Sequence, residues 1–335
     1  MEKDISVIIA TYNRALDLSK TLEGMVKTVK GDLAIEYVVV DNGSNDQTKS
    51  VVDTFYDRIP INYIFELRSG KNRALNTALE KCKLGKIVIF TDDDVDVSPD
   101  WFVSILSVCD RWPNHAVFGG RINVNFPIKD VPKWALDPFL SSVAFSHHHY
   151  SDQECLYGDG LTPFGPNFWV RREVFDNGRR FNEAIGPRPT NRMMGSETSF
   201  LMTLLKEGYE IVYSPTVVVG HRIQRRLIGF YPVCRRAYRL GRGEAHIHDL
   251  TRPIKLDKYW PSLRQNITAW RFYLRGSIIL SIFKVFIEFI YSSKEKRTLN
   301  VASKLRKLGY KVEASRILRE HSIIKTPVMR STSTQ

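Results

Sequence analysis

Short apolar runs alternate with segments of helical spacing over residues 1–120. The apolar runs are rich in Val and Ile, and their length is that of buried strands. Such alternation is typical of βαβ units and predicts an α/β fold built on a doubly wound, mostly parallel sheet. The predicted strands cover residues 5–10, 36–41, 61–66 and 86–91.

The segments between these strands carry apolar residues at three- and four-residue intervals, as the buried face of a helix requires. These intervals predict helices with apolar residues within 15–26, 51–55 and 74–79. Asp46 or Asn45 is expected to cap the second helix. Ser98-Pro99 is expected to open a fourth helix, with Pro99 at its first helical position.

Beyond residue 120 the pattern is less regular. It predicts a strand in "GGRINVNF", another at the end of "LYGDGLTPFGPNFWV", and then a helix and two strands, the second ending at His221. The remaining chain is basic and mainly helical in pattern. We therefore expect an α/β domain over 1–221 and a helical C-terminal extension over 222–335.

Polar side chains follow the first, second and fourth predicted strands, as residues 11–14, Asp41 and residues 92–94. The carboxyl ends of parallel strands meet at one edge of such a sheet, where ligands bind. Three adjacent aspartates repel one another unless something neutralises them. In an extended chain Asp92 and Asp94 would share a face, as a hard divalent cation requires. A solvated acidic turn is the structural alternative.

Several other classes of protein and site are not favoured by the sequence. The turn "ATYNRALD" lacks the glycine patterns of dinucleotide-binding and P-loop proteins. The four cysteines lack metal-like spacing and are interpreted as reduced thiols. The histidines of residues 146–152 are interpreted as a loop, and the first apolar run is too short for a signal peptide.

The charge of the chain is divided unevenly. Residues 220–335 hold 25 Lys and Arg against 7 Asp and Glu, a net charge of +18, whereas the preceding residues carry −5. A basic extension of this kind suits an anionic surface, either membrane or nucleic acid. Its apolar segment, 276–291, is shorter than a membrane span and contains Lys284 and Glu288, at a spacing that allows them to pair. It predicts an interfacial or core-packing helix.

A set of ordered segments resembles the family 2 glycosyltransferases with a GT-A fold. The resemblance covers about residues 4–222. It implies inverting transfer of a sugar from a nucleotide diphosphate sugar to an acceptor hydroxyl, with donor binding in 1–120 and the acceptor side in 121–221. The segments are "SVIIATYNR", "VVVDNGSND", "RSGKNRALN", "IFTDDDVDVSPDW", "GPNFWVRREVF", "RFNEAIG" and "GSETSFLMTLLKEGYEIVYSPTVVVGH".

The resemblance also implies roles for individual residues. Asp41 would read the base, which makes a UDP-sugar the first candidate donor; the structural alternative for Asp41 is a cap for the helix that begins near Asn45. Asp92 would hold the ribose side of the donor, and Asp94 would bind Mn²⁺ or Mg²⁺, with His221 near the metal or buried for structure alone. The further residues assigned to the nucleotide sugar are Thr11, Tyr12, Arg14, Arg68, Lys71, Asp93 and Asn167.

The general base implied by the resemblance is Glu197, at the start of the helix in "GSETSF". The family usually has an acidic pair here, whereas Ser196 precedes Glu197 in this chain. Asp159 is the second candidate, and an exposed acid in a first helical turn is the structural alternative for Glu197.

The expected partners are the donor, a glycan or lipid-linked acceptor, and an anionic membrane surface. The chain is expected to be cytoplasmic, at the cytoplasmic face of a membrane, in polysaccharide biosynthesis. Two alternatives are a sugar nucleotidyltransferase, which needs a phosphate loop that "ATYNRA" lacks, and a nucleic-acid-binding protein, for which no signature is evident.

Overall fold

The structure is a computed structural model, and it describes residues 3–187, 192–247, 267–293 and 296–324. The chain divides into two compact units, Met1–Val233 and Cys234–Gln335. The functional division expected from the sequence, 1–221 and 222–335, stays a prediction.

The described part of the first unit contains one mixed sheet. Its strands are β1 (Ile5–Thr11), β2 (Ile35–Asp41), β3 (Ile61–Phe65), β4 (Ile87–Thr91), β5 (Val95–Val97), β6 (Val117–Asn125), β7 (Cys155–Leu156), β8 (Phe168–Arg171) and β9 (Ile211–Arg222). Their spatial order is β3-β2-β1-β4-β8-β6-β9-β5, and β7 pairs with β9. The four strands predicted over 1–120 are confirmed and all pair in parallel, while β8 is antiparallel to both of its neighbours.

Helices cover both faces of this sheet. They are α1 (Ala15–Val26), α2 (Thr48–Asp53), α3 (Lys71–Lys81), α4 (Trp101–Arg111), α5 (Pro138–Phe145) and α6 (Ser196–Lys206). Successive side chains of a strand point to opposite faces. Thus Ile5, Val7 and Ile9 join one buried cluster, and Ile8 of the same strand joins the other. The doubly wound α/β fold expected from the sequence is confirmed.

Three local predictions were wrong. Helix α4 begins at Trp101, so Pro99 lies before the helix and not at its first position. The segment predicted as two strands is one long strand, β9, paired with β6 across a register shift between Gly120 and Arg121. Helix α2 ends at Asp53, so the buried Phe55 packs from the following turn.

The second unit is helical, as predicted for the extension. Its helices are the part of α7 (Phe230–Ile247) from Cys234 onward, α8 (Ile267–Tyr291) and α9 (Arg297–Ile324). Glu313 of α9 is almost completely buried and binds Arg242 and His246 of α7. None of the described helices is both long enough and apolar enough to cross a membrane.

Candidate active site

The three aspartates lie in a turn between β4 and β5, not in an extended strand. The expected alternation, with Asp92 and Asp94 on one face, is therefore wrong. Asp93 and Asp94 both face Arg14, whereas Asp92 faces Lys71. The carboxyl ends of β1, β2 and β4 do converge as expected, because Thr11 pairs with Asp41 in the parallel register of β1 and β2.

Arg14, immediately before helix α1, contacts two of these carboxylates. Its guanidinium nitrogens lie 3.2 Å from Asp93 Oδ1 and 2.6 Å from Asp94 Oδ2. The hydroxyl of Thr11 donates to Asp93 Oδ2 at 2.8 Å. The expectation that a bound metal and diphosphate must neutralise the aspartates is therefore incomplete, because a protein cation already contributes. A ligand that binds Arg14 would therefore share its guanidinium with Asp93 and Asp94.

The two neighbouring carboxyls, Asp93 and Asp94, have different pKa values because their neighbours differ. Burial raises the pKa of Asp93, and Arg14 only partly offsets that effect. Burial also disfavours the charged form of Asp94, but the nearby His221 and Arg14 outweigh it and hold the pKa of Asp94 below its ordinary value. Asp94 is therefore the carboxylate of the pair that keeps its negative charge.

Asp94 and His221 together fit one side of a cation site. His221 lies on β9 opposite Val95, its Nδ1 is 2.6 Å from the carbonyl oxygen of Phe145, and its Nε2 lies 3.4 Å from Asp94 Oδ1. That Asp94 oxygen is buried without a hydrogen-bond partner among the described residues. A buried carboxylate oxygen and the imidazole nitrogen beside it are two ligands that a divalent cation could use. The described residues hold no cluster of three or more such ligands, so a cation here would need ligands from substrate or water.

Lys71 joins two acids that are distant in sequence. It is the first residue of α3, and its Nζ lies 2.6 Å from Asp92 Oδ1 and also contacts Glu197 Oε1. Burial would lower the pKa of Lys71, but the two carboxylates outweigh burial and raise it. Lys71 is therefore a fixed positive charge between the turn after β4 and the first turn of α6.

The carboxylate of Glu197 lies close against Gly165. A Cβ added at Gly165 would lie 2.5 Å from Glu197 Oε1 and 2.7 Å from its Cδ. Only a residue without a side chain leaves this space to the carboxylate. The side chain of Glu197 is 14% exposed, so it is not the freely solvated first-turn acid of the structural alternative.

Asp41 is buried at the end of β2 and uses both of its oxygens within the protein. The backbone N–H of Ser44 donates to Oδ1 and the hydroxyl of Tyr63 donates to Oδ2, each at 2.8 Å. The first of these bonds caps a turn. It is not the helix cap considered as an alternative, because the following helix begins at Thr48 with Gln47 at its N-cap position. The role of Asp41 in base recognition stays a prediction, in which Tyr63 is a neighbour that the sequence did not single out.

Arg68 and Tyr12 lie on the open side of these strand ends. Arg68 is bound through two nitrogens to the buried Glu66, and this pairing lowers the pKa of Glu66 to about 2. The ring of Tyr12 is 47% exposed. Glu66 carried no sequence signal beyond its place at a predicted strand end. Its contacts explain how Arg68 is oriented.

The side chain of Asn167 bonds residues outside this cluster, and Asp159 lines a separate cleft. Asn167 is fully buried, and its amide bonds the ring nitrogen of Trp101 and the carbonyls of Arg121 and Val217. Asp159 lines a cleft with Gly208, after the end of α6, whereas Glu197 is at the start of that helix. An eleven-residue helix is ~16 Å long, so Asp159 is poorly placed to substitute for Glu197. The assigned roles of both residues stay predictions.

Comparison with known proteins identifies the family of this chain. The family model described as "Glycosyl transferase family 2" matches residues 6–179, just over half of the chain. Glycosyltransferase AglE of Haloferax volcanii is 24% identical over 251 residues, covering 74% of this chain and 75% of the relative. The GalNAc(5)-diNAcBac-PP-undecaprenol beta-1,3-glucosyltransferase of Campylobacter jejuni is 24% identical over 290 residues, covering 79% and 85%.

A solved structure gives the same answer for the fold. The mannosyltransferase PcManGT from Pyrobaculum calidifontis, in complex with GDP-Man and Mn²⁺, superposes with a TM-score of 0.55 at 17% identity, covering 97% of this chain and 88% of its own. The fold is therefore an α/β fold of the GT-A type, with a helical C-terminal part. From the family match, the chain belongs to glycosyl transferase family 2 and is a glycosyltransferase.

Proposed function

We propose that this enzyme moves a sugar, with inversion, from a nucleotide diphosphate sugar to a hydroxyl of a glycan or lipid-linked glycan. The proposal rests on four side chains that lie at the strand ends. They are a buried carboxylate with an oxygen open to a cation, two basic side chains, and a second carboxylate that contacts one of these basic side chains. The first is Asp94, the basic groups are Arg14 and Lys71, and the last is Glu197.

Asp94 and His221 would hold the metal, Mn²⁺ or Mg²⁺. The orphaned oxygen of Asp94 and the adjacent imidazole fit this role, and a diphosphate and water would complete the ligand set. The bound cation would stabilise negative charge on the departing nucleoside diphosphate. Arg14 would orient the diphosphate beside it, because its guanidinium already lies against the same carboxylate.

Glu197 would act as the general base. In an inverting transfer a carboxylate must take the proton of the acceptor hydroxyl as that oxygen attacks the sugar. Lys71 and Gly165 fix the position of Glu197, and Lys71 also fixes Asp92, for which we propose the ribose side of the donor. The base and the donor-binding turn are therefore held together by one cation.

The donor base would lie over Asp41, with Thr11, Tyr12 and Arg68 around it. A carboxylate accepts the imino N–H of uracil, which favours a UDP-sugar. Each oxygen of Asp41 accepts one hydrogen bond within the protein, and a carboxylate oxygen has a second lone pair with which Asp41 would accept the N–H of the base. The GDP-Man bound to PcManGT makes a GDP-sugar the second candidate.

The acceptor proposal follows from the relatives. The Campylobacter relative carries an undecaprenol-linked glycan in its name, which favours a lipid-linked acceptor for this enzyme as well. Such an acceptor would place the enzyme at a membrane surface, on the cytoplasmic face expected from the sequence. Synthesis of a cell-surface polysaccharide is the corresponding process.

A thermal-stability screen tests this proposal. UDP-, GDP- and other nucleotide sugars are added to the full chain with Mn²⁺, with Mg²⁺ or with a chelator, and the melting temperature is measured. A ligand at 100 times its Kd stabilises the folded state by ~2.7 kcal/mol, so the correct donor should raise the melting temperature only when a metal is present. Stabilisation by nucleic acid, with no response to any nucleotide sugar, would favour the polyanion-binding alternative.

A further inference from the structure

Helix α8 directs polar side chains toward α9 and exposes most of its large apolar side chains. Ser277 and Ser281 accept hydrogen bonds from Lys311 of α9 at 2.5 and 2.9 Å. Glu288 lies 3.7 Å from Lys304 of α9, and not paired with Lys284 as its spacing allowed. The side of α8 that packs on α9 therefore carries these polar side chains, with the partly buried Ile278 and Val285 beside them.

The apolar residues of α8 form its exposed side, which we call the outer face of α8. Among the large side chains of this face, Ile279, Phe283 and Phe286 are 69%, 58% and 58% exposed. At 100° per residue the outer face spans an arc of about 200°. Lys284 lies beyond the edge of that arc. The outer face comprises Ile279, Leu280, Ile282, Phe283, Phe286, Ile287, Phe289, Ile290 and Tyr291.

The partner of the outer face must be apolar. A water-facing helix normally shows the opposite pattern, and a contiguous exposed apolar patch of this size marks an interaction site. One packed helix covers a stripe of about 100°, roughly half of this arc. A lipid phase contacts every exposed side of a helix lying in it, so it matches the breadth of the face better than a second protein chain does.

The charge of the chain selects the kind of lipid. The residues from 220 onward carry a net charge of +18, and Arg271, Arg275, Lys294, Lys296 and Arg297 flank the apolar segment in sequence. Basic side chains beside an interfacial helix are attracted to anionic headgroups. The apolar stretch 276–291 is ~24 Å long as a helix, which is shorter than the ~30 Å hydrocarbon core that a spanning helix must cross.

We propose that the outer face of α8 inserts into the acyl region of an anionic membrane, with the helix lying parallel to the surface. The polar contacts with α9 then remain on the protein side. This inference does not depend on the reaction that the enzyme catalyses.

Vesicle flotation tests the proposal with the full chain. We expect it to float with phosphatidylcholine vesicles containing phosphatidylglycerol, and less with phosphatidylcholine alone. High salt should weaken flotation without abolishing it, because only the charge contribution is screened. The double variant Phe283→Ser/Phe286→Ser should bind anionic vesicles ~10²-fold more weakly, since each half-exposed ring contributes about 10-fold when transferred out of water.

The control variant is Val29→Ser/Leu136→Ser, which removes exposed apolar side chains of the first unit. It should float like the wild type. Equal flotation of the Phe283→Ser/Phe286→Ser variant, or failure of the wild type to float at low salt, would overturn the proposal. A dimer of the wild type without lipid, detected by light scattering, would also overturn the proposal if the Phe283→Ser/Phe286→Ser variant were a monomer. The outer face of α8 would then be a protein interface.

A second measurement does not depend on loss of binding. In a Phe286→Trp variant, lipids brominated along the acyl chain should quench the added fluorescence beyond the quenching of the wild type. No additional quenching in vesicle-bound protein would place Phe286 outside the bilayer and contradict insertion.

Discussion

Replacing Gly165 by alanine should displace the proposed base without removing it. The added Cβ would lie 2.5 Å from Glu197 Oε1 and 3.2 Å from its Cγ. An ordinary carbon–oxygen contact is ~3.5 Å, so the carboxylate must move by about 1 Å. The clashing atoms belong to the end of a flexible side chain, so the backbone can stay where it is.

The expected consequence is a loss of turnover and not of folding. A misplacement of ~1 Å at a reacting group costs about 10²-fold in rate. We therefore expect Gly165→Ala to lower kcat about 100-fold. Glu197→Gln, which keeps the shape but removes the base, should lower kcat by roughly 10²- to 10⁴-fold. Donor affinity and the melting temperature should stay close to those of the wild type in both variants.

The assay is release of nucleoside diphosphate in the presence of acceptor, with donor binding followed separately by calorimetry. Gly158→Ala is the matched control from the same loop region, because its added Cβ would meet no atom closer than 3.4 Å. The reasoning is refuted if Glu197→Gln turns over like the wild type. If Glu197→Gln lowers kcat but Gly165→Ala does not, the carboxylate is needed but its exact position is not.

Three further predictions concern the charged and polar contacts. Lys71→Met should lower kcat about 10-fold or more and weaken donor binding, whereas Lys71→Arg should retain part of both, measured by the same assays. Asn167→Ala should destabilise folding by ~2–4 kcal/mol in chemical denaturation, because buried bonding groups lose their partners. Burial opposes ionisation of Glu313, but its basic neighbours lower its pKa to about 2. The charged Glu313 therefore stabilises the fold above pH ~4.3, and this contribution is lost as the pH falls toward 2. In Glu313→Gln, the melting temperature should fall less between about pH 4.3 and pH 2 than in the wild type.

The sheet and its helices were predictable because their signals are local. The central parts of the first two strands, residues 7–10 and 37–40, are apolar throughout, as is typical of strands buried on both faces. The buried residues Leu18 and Leu22 of α1 follow helical spacing. The convergence of Thr11 and Asp41 followed from parallel pairing alone.

The contacts inside the site were not predictable because they join distant parts of the chain. Lys71 and Glu197 are 126 residues apart, and Arg14 and Asp94 are 80 apart. The alternation argument for Asp92 and Asp94 failed because the chain turns where three carboxylates adjoin, which lets two cations reach them. Periodicity shows which side of a helix is apolar, but it does not show whether that side meets protein, so the outward-facing apolar side of α8 needed the structure.

The central proposal is that Asp94 supports metal-dependent binding of a nucleotide diphosphate, and calorimetry with UDP tests it most directly. UDP is titrated into the wild type and into Asp94→Asn, each with Mn²⁺ and with a chelator, and GDP is titrated in parallel. We predict that one of the two nucleotides binds the wild type only with Mn²⁺, and that Asp94→Asn loses this binding while its melting temperature without ligand is retained. Equal Mn²⁺-dependent binding by Asp94→Asn, or no binding of either nucleotide by the wild type, would contradict the proposal.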